Sequence, residues 1–258
     1  MRLFPKRFTI ARMSRIPLVG RVIDWALFKD DRLLFIPKTV ELDVRLGEPE
    51  SMVLPYRVAE HFVNASEYLW VMNFCICRAS NGCKDYPHEL GCLFLGEATQ
   101  RIDPRLGRRV TREEALEHLR RCREVGLVHL VGRNKLDSLW LDVRPGEKLL
   151  TICSCCPCCC LWKVIPDLSP MIRQKITKMP GVEVSVDRLK CAGCGGCTRG
   201  ICFVDAISLK HGKAEISDEC RGCGRCAEVC PLGAISISIS DKKYMDDAIR
   251  RISSCVDL

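Results

Sequence analysis

The apolar and polar positions along the chain alternate between a helical and an extended period, and so predict a mixture of helices and strands. Residues 14–28 put Val19, Ile23, Ala26 and Leu27 at helical spacing, with Ser14 placed to cap the helix and Pro17 near its first turn. Arg12, Arg15 and Arg21 fall on its polar side. This segment reads either as a membrane-surface or partner-docking helix or, more simply, as a helix packed on its own domain. Residues 33–44 are apolar and β-branched, broken by Pro37, and read as one or two short strands. A second helix is expected over about 57–73, with Val58, Phe62, Ala65, Leu69 and Met72 on one face. Thr111 and Glu114 form a capping box that opens a third helix, with Ala115, Leu119 and Cys122 inward and Gly126 as its stop. The strand at 127–131 follows at once, and this helix–turn–strand reads as half of a winged-helix-like unit.

The second half of the chain is more extended. Residues 149–152 read as a strand that leads into a run of cysteines. Residues 163–181 are polar and punctuated by Pro166, Pro170 and Pro180, so they read as a connection bearing one short helix. Residues 182–186 alternate as a strand, 207–209 and 214–216 form a hairpin about His211-Gly212, and 235–239 alternate again. A last helix, capped by Asp241, carries Tyr244, Met245, Ala248, Ile249 and Ile252 on one face. The divisions that follow are 1–162 for an N-terminal Cys-rich metal-binding domain, 163–181 for a linker, 182–240 for a compact strand-rich domain and 241–258 for a helix packed on the core.

Composition changes this picture at one point. The 258 residues are 47% hydrophobic, enough for a core, but they include twenty cysteines. The first dozen residues are basic without an apolar signal region, and Met13 offers a second start, so they read as a poorly ordered extension. No run approaches the roughly 18 apolar residues of a membrane span. These features place the protein in a reducing cytoplasm, where crowded thiols point to metal rather than to disulfides. The formal charge of +8 belongs to the apo chain. Thiolate-bound clusters add negative charge, which weakens a charge-based case for nucleic acid and leaves a basic face to steer an acidic redox partner.

The chemistry is concentrated at 191–235. Cys220, Cys223, Cys226, Cys230 and Pro231 follow the spacing C-x2-C-x2-C-x3-C-P, and Cys191, Cys194, Cys197 and Cys202 repeat it. Three thiolates at this spacing can wrap one tight turn around a cubane, and the interleaved glycines allow close backbone approach and positive φ. The duplicated motif resembles bacterial-type two-[4Fe–4S] ferredoxins over about residues 180–240. A pair of zinc knuckles is the competing reading of the same thiols, and the duplicated triplet with Cys-Pro favours iron–sulfur. The resemblance implies that Cys191, Cys194, Cys197 and Cys230 hold one [4Fe–4S] cluster and that Cys220, Cys223, Cys226 and Cys202 hold the other. The first half departs from the family twice. Four residues, not three, separate Cys197 from Cys202, and Phe203 stands where the family has proline.

Two further cysteine groups lie upstream. The first is Cys75, Cys77, Cys83 and Cys92, with Asn81-Gly82 as a turn and Gly91 opening space for a close approach. The second is Cys153, Cys155, Cys156, Cys158, Cys159 and Cys160. In an extended segment Cys153 and Cys155 face one side and Cys156 the other, while Pro157 re-aims the last three. Soft-metal ligation is the economical explanation for such a run. At least one further iron–sulfur cluster is expected here, built from Cys77, Cys83, Cys92 and members of the 153–160 run, with the other thiols binding a second centre or simply buried. Cys122 reads as a buried apolar residue and Cys255 as a non-ligand. This N-terminal part resembles only uncharacterised ferredoxin-domain proteins of anaerobes.

The expected fold class is therefore α+β: a ferredoxin-type C-terminal domain joined to a mixed, mainly helical Cys-rich N-terminal domain. The five histidines form no metal-binding motif and read as surface or capping residues, and no phosphate loop or dinucleotide fingerprint is present. The leading expectation is an electron-transfer protein or subunit that passes single electrons between a redox partner protein and an N-terminal iron–sulfur centre. Whether the chain is itself an enzyme stays open. The alternatives are an oxidoreductase whose N-terminal centre reduces a small substrate or disulfide, and a redox-responsive nucleic-acid binder using the arginines of 101–123, which more simply form a solvated helix face.

Overall fold

A cysteine-bearing strand lies at the middle of the molecule. The computed structural model describes residues 4–38, 41–42, 56–240 and 243–258. Its elements run α1 (Arg7–Met13), α2 (Pro17–Ile23), β1 (Arg32–Ile36), β2 (Glu41–Leu42), α3 (Arg57–Ala65), β3 (Leu69–Met72), α4 (Ile76–Asn81), β4 (Leu93–Leu95) and β5 (Gly107–Arg109). They continue with α5 (Arg112–Glu124), β6 (Val128–Arg133), α6 (Lys135–Trp140), β7 (Leu150–Cys155), α7 (Pro170–Arg173), β8 (Ile176–Lys178) and β9 (Val182–Val186). The chain ends with β10 (Ile207–Lys210), β11 (Lys213–Ile216), α8 (Arg225–Glu228), β12 (Ile235–Ile239) and α9 (Tyr244–Ser253). The fold is α+β, as the mixture of periods requires.

Seven strands form one sheet in the order β5-β3-β4-β7-β6-β1-β8. Neighbours are antiparallel except β1 and β8, which are parallel. β7 pairs with β4 on one side and β6 on the other, so its backbone is fully engaged and its side chains must divide between the two faces. On one face Leu150 and Ile152 join Leu34, Ile36, Val131, Leu93 and Leu95 beneath α3, α5 and α9. On the other, Cys153 and Cys155 join Leu33, Phe35, Val128 and Leu130. That second face is covered by α1, by the turns at Leu161–Asp167 and by residues 203–206.

The C-terminal unit carries the four strands expected of it. β9 pairs with β12, and β10 with β11, around a hairpin turn at His211 and Gly212 with φ of 49° and 71°. Positive φ at both central residues gives the turn the right-handed twist that the strands need. The unit is not hung on a linker. β12 also pairs in parallel with β2, and Lys38 N–H donates to the Cys223 carbonyl at 3.4 Å. The buried Arg225 guanidinium reaches the Gly126 carbonyl and donates to Tyr86 Oη at 2.9 Å. Its strand residues Val182, Ile237 and Ile239 belong to the same core as α3, α5 and α9.

Several expectations change. The N-terminal part is organised by the seven-stranded sheet rather than mainly by helices, and α5 with β6 is a helix laid on that sheet, not part of a winged helix. The helix expected over 57–73 stops at Ala65, and Leu69–Met72 is a strand, because the aromatic and β-branched run 68–72 pairs with β4 and β5 on both edges. Residues 163–181 are structural: Trp162, Val164, Ile165, Leu168 and Ile172 are buried, and β8 ends the sheet. Residues 4–13 are structured too, with α1 packed through Ala11 against the Leu161–Asp167 turns. Ser14 does not cap α2 but ends α1; its Oγ donates to the Ala11 carbonyl and accepts the Ser169 N–H at 2.8 Å, tying the two segments together. Helix α2 starts at Pro17, half-buries Val19 and Ile23, and leaves Leu18, Val22 and Trp25 outward. The expected strand at 33–44 is β1 and β2, with 39–40 and 43–44 outside the described residues, as is the expected cap Asp241.

The tightest packing lies beside β7. A methyl group added at Gly132 on β6 would sit 1.8 Å from the Arg32 carbonyl oxygen of β1. Gly132→Ala is therefore expected to lower stability by about 1–3 kcal/mol, read as an earlier urea midpoint by far-UV circular dichroism under anaerobic conditions. Gly82→Ala is the comparison for steric crowding, since nothing lies within 4 Å of its added carbon.

Candidate metal-binding site

The C-terminal cysteines fall into two groups. Cys191, Cys194, Cys197 and Cys230 line one small cavity together with Gly193, Gly195, Pro231 and Leu232. The backbone comes close here: at Gly193, φ is +71° and an added Cβ would lie 2.1 Å from the Gly212 carbonyl oxygen. Backbone N–H groups already point at sulfur, from Ala214 to Cys191 Sγ at 3.4 Å and from Ala234 to Cys230 Sγ at 3.3 Å. These bonds, Ala214 first and then Gly193, hold the Cys191 thiol below its ordinary value. In the second group Cys202, Cys220 and Cys226 surround Cys223. Burial pushes Cys223 and Cys226 up to about 12. The internal repeat reappears in the bonding, because Ala206 N–H reaches Cys202 Sγ at 3.3 Å as Ala234 N–H reaches Cys230. Phe203, the residue out of keeping with the family, packs on Phe35 of β1 with ring centroids 5.6 Å apart. It plugs this second group onto the large sheet.

The upstream cysteines divide differently from the sequence expectation. Cys75, Cys77, Cys92, Cys153, Cys155 and Cys160 line a cavity of about 620 Å³ on the sheet face opposite α5, and Cys156 borders it too. Its walls include Ala11, Leu27 and Phe28 from the N-terminal segment, Trp162 beyond the cysteine run, and Asp137 and Trp140 of α6. Cys92 and Cys153 sulfurs are 3.7 Å apart. A hydrogen bond from the Cys77 side holds Cys75 down at about 6. The same bond and burial raise Cys77 well above the usual thiol value. Cys155 is also raised, by its contact with Cys160 and by burial. Cys83, by contrast, converges with Cys156, Cys158 and Cys159, and these four sulfurs lie within 4.8 Å of one another. Gly91, expected to admit something bulky, instead lets the chain pass β3, since an added Cβ would lie 2.5 Å from the Met72 carbonyl oxygen.

One charged residue between the two groups had no signature in the sequence. Arg78 is fully buried, donating to the Ser154 carbonyl at 2.9 Å and to the Leu90 carbonyl. Its Nε lacks a hydrogen-bond partner, and among the described residues no carboxylate pairs with it. The groups of opposite sign beside it are Cys75, Cys156, Cys155 and Cys92. A buried guanidinium is costly without a compensating anion, and of these groups Cys75, whose thiol is held low, is the one placed to supply it. Asp137 was likewise unforeseen: it lines the cavity, accepts from Thr151 Oγ1 at 2.8 Å and Trp140 Nε1 at 3.1 Å, and is raised by burial.

Other sequence candidates fall outside these sites. Cys122 is buried beside Cys156 and Cys159, its thiol pushed up to about 11 by burial, and Cys255 donates to the Ile252 carbonyl at 3.0 Å. The expectation of surface histidines fails at His129, which is buried on β6, 3.2 Å from Ser154 Oγ, and held at about 4 by burial. The arginines of 101–123 largely pair with nearby acids, Arg108 with Glu114 and Arg120 with Glu117 and Glu124, while Arg123 lies 3.6 Å over the Tyr56 ring. No helix among the described residues is long and apolar enough to cross a membrane.

Comparison with known proteins bears on the C-terminal unit. The model of the LdpA Fe–S cluster-binding domain matches residues 198–240. A dihydromethanopterin reductase (acceptor) of Methanosarcina mazei is 41% identical over 63 residues, covering 23% of this chain and 25% of that protein. An uncharacterized ferredoxin of Methanocaldococcus jannaschii is 39% identical over 64 residues, covering 24% of this chain and 40% of that one. The chain thus spans well under half of these relatives. No solved structure matches it. The C-terminal unit is an iron–sulfur domain of ferredoxin type.

A buried carboxyl near the cavity sets a pH dependence. Asp31 accepts the Lys135 N–H at 2.7 Å; burial first, and then Asp137, raise it to about 8. The unfolded chain ionises this group near the ordinary carboxylate value of about 4. The folded state therefore holds an extra proton between about pH 4 and pH 8, and the associated stability is full below that range and lost as pH rises through it. Asp31→Asn is expected to flatten this slope and to be more stable than the parent at pH 8 by on the order of a few kcal/mol, as measured by urea midpoints at pH 5 and pH 8.

Proposed function

We propose that the protein is an iron–sulfur electron-transfer protein whose ferredoxin-type unit exchanges single electrons between a redox partner and a third centre in the large cavity. In this reading Cys191, Cys194, Cys197 and Cys230 hold one [4Fe–4S] cluster, and Cys202, Cys220, Cys223 and Cys226 hold a second. The third centre uses ligands from Cys75, Cys77, Cys92, Cys153, Cys155 and Cys160. Bound there, the clusters supply one-electron redox chemistry. The donor sets fit: each is a gathered group of free thiols, the C-terminal ones with backbone N–H groups aimed at sulfur and the cavity set with a buried cation beside it.

The observation that carries this reading is a shared apolar body. Cys153, Cys155 and Cys160 belong to the same hydrophobic cluster as Phe35, Phe203 and Val204, and Cys202, Cys220 and Cys223 pack against it. Packed apolar side chains therefore join the inner ferredoxin-type group to the cavity. The outer group is the one open to a partner. Cys194 is exposed, and Leu209 and Leu232 beside it are 42% and 52% exposed. An apolar patch around an exposed thiolate ligand is a suitable docking point for a redox protein. The cavity itself favours a second reading, in which the third centre reduces a small molecule: its volume of about 620 Å³ admits one, and Asp137 can hold a proton at its wall.

Iron and acid-labile sulfide measured on anaerobically purified protein test the proposal. About twelve of each per chain are expected if the third centre is a cubane, against about eight for the ferredoxin-type unit alone. Cys75→Ser with Cys155→Ser is expected to remove about a third of both while leaving the electron paramagnetic resonance of the C-terminal pair intact. Unchanged iron in that variant would remove the cavity from the electron path.

A further inference from the structure

Besides Cys122 and Cys255, four thiols take no part in the groups assigned above. Cys83 follows α4, and Cys156, Cys158 and Cys159 belong to the turn that ends β7. Cys156 follows Cys155 directly; it also borders the cavity, but it is buried in a different apolar cluster from Cys153 and Cys155. It meets Cys122, Leu127 and Leu90 there, and Cys159 joins the same cluster. The turn at 157–159 then carries Cys158 to the surface, where its sulfur lies 3.5 Å from Cys83.

The spacing of these sulfurs identifies what they hold. Zinc–thiolate bonds of about 2.3 Å in a tetrahedron set sulfur atoms about 3.8 Å apart. The four sulfurs here, all within 4.8 Å of one another, are gathered on that scale. Among the described residues, no other set of three or more His, Cys, Asp or Glu ligand atoms is so compact. The ferredoxin-type quartets on the same chain are more open, as thiolates on separate iron atoms must be.

The surroundings are built to hold this arrangement. Cys83 is raised by burial but lowered more by the backbone N–H of Asp85, by Cys158 and Cys159, and by the N–H of Tyr86, so it lies below the usual thiol value. His88 Nε2 donates to the Cys83 carbonyl at 2.7 Å. Asn81 Nδ2 bridges the two segments, donating to the Cys77 carbonyl at 2.6 Å and to the Cys159 carbonyl at 3.3 Å. We propose that Cys83, Cys156, Cys158 and Cys159 bind a single divalent metal ion, zinc or ferrous iron, as a closed tetrathiolate site. With four sulfur ligands no position is left open for substrate, so the site is structural. It clasps the end of α4 to the end of β7 and thereby fixes Cys77 and Cys160 on the cavity wall. Through Tyr86 and its bond from Arg225, it also braces the ferredoxin-type unit.

X-ray absorption at the zinc and iron edges of the intact, anaerobically purified protein tests the site without any substitution. A mononuclear ion with four sulfur neighbours at about 2.3 Å is expected, at the zinc edge if zinc is bound. If iron is bound, the same shell appears as an iron fraction with no accompanying sulfide, resolved by Mössbauer spectroscopy of 57Fe-enriched protein. Cys83→Ser with Cys158→Ser is expected to lose that one ion and to keep all acid-labile sulfide. Loss of sulfide together with iron in this variant would assign the four thiols to a cluster, and absence of a four-sulfur mononuclear component in the parent would overturn the proposal outright. The cavity centre is read separately, from Cys75→Ser with Cys155→Ser, which leaves these four thiols in place.

Discussion

Successive side chains of an extended strand leave on opposite faces, and this constraint shapes the whole N-terminal half. β7 is paired along both edges, so the face that each of its side chains takes is fixed. Cys153 and Cys155 are committed to the face shared with Phe35, while Leu150 and Ile152 are committed to the face beneath α3, α5 and α9. Only past the last paired residue does the chain turn, and there Cys158, Cys159 and Cys160 are redistributed. A run of six thiols in the sequence thus becomes two sets, Cys153, Cys155 and Cys160 on the cavity wall and Cys156, Cys158 and Cys159 gathered about Cys83, each joined by cysteines of the segment 75–92.

Charge follows the same division. Arg78 lies among these thiols, within the field of Cys75, Cys156, Cys155 and Cys92. Among the described residues its direct partners are two backbone carbonyls, so its burial makes sense beside anionic sulfur and little sense beside neutral thiols. On the proposed assignment the residue links metal occupancy to the stability of the fold: a chain without metal either protonates its thiols and strands a buried cation, or keeps thiolates crowded together without a counter-ion.

The C-terminal unit was legible in the sequence because ligand spacing, the glycines and the alternating strands at 182–186 and 235–239 all agreed. The hairpin turn at His211-Gly212 and the capping box at Thr111 and Glu114 were equally plain, being local chemistry. What failed was non-local. Residues 57–73 show helical spacing throughout, but Leu69–Met72 is drawn into the sheet by strands that lie more than 20 residues further on. The prolines of 163–181 suggested a connection, yet Trp162 and its neighbours cover the cysteine face. The partition of the upstream thiols was illegible for the same reason, since Cys77 and Cys83 are close in sequence and belong to different sites. Arg78 and Asp137 gave no sign, because nothing in a sequence marks a charged residue as buried.

The placement of α9 and β8 bears on how the protein is made. The sheet that carries the upstream thiols takes its last strand from residues 176–178 and its outer helix from residues 244–253, on either side of the ferredoxin-type unit. Six to ten upstream sulfurs therefore leave the ribosome well before the layers that enclose them are available. On the proposed assignment metal delivery keeps pace with translation or waits until synthesis is nearly complete, and in the interval the thiols of the nascent chain stand open to oxidation.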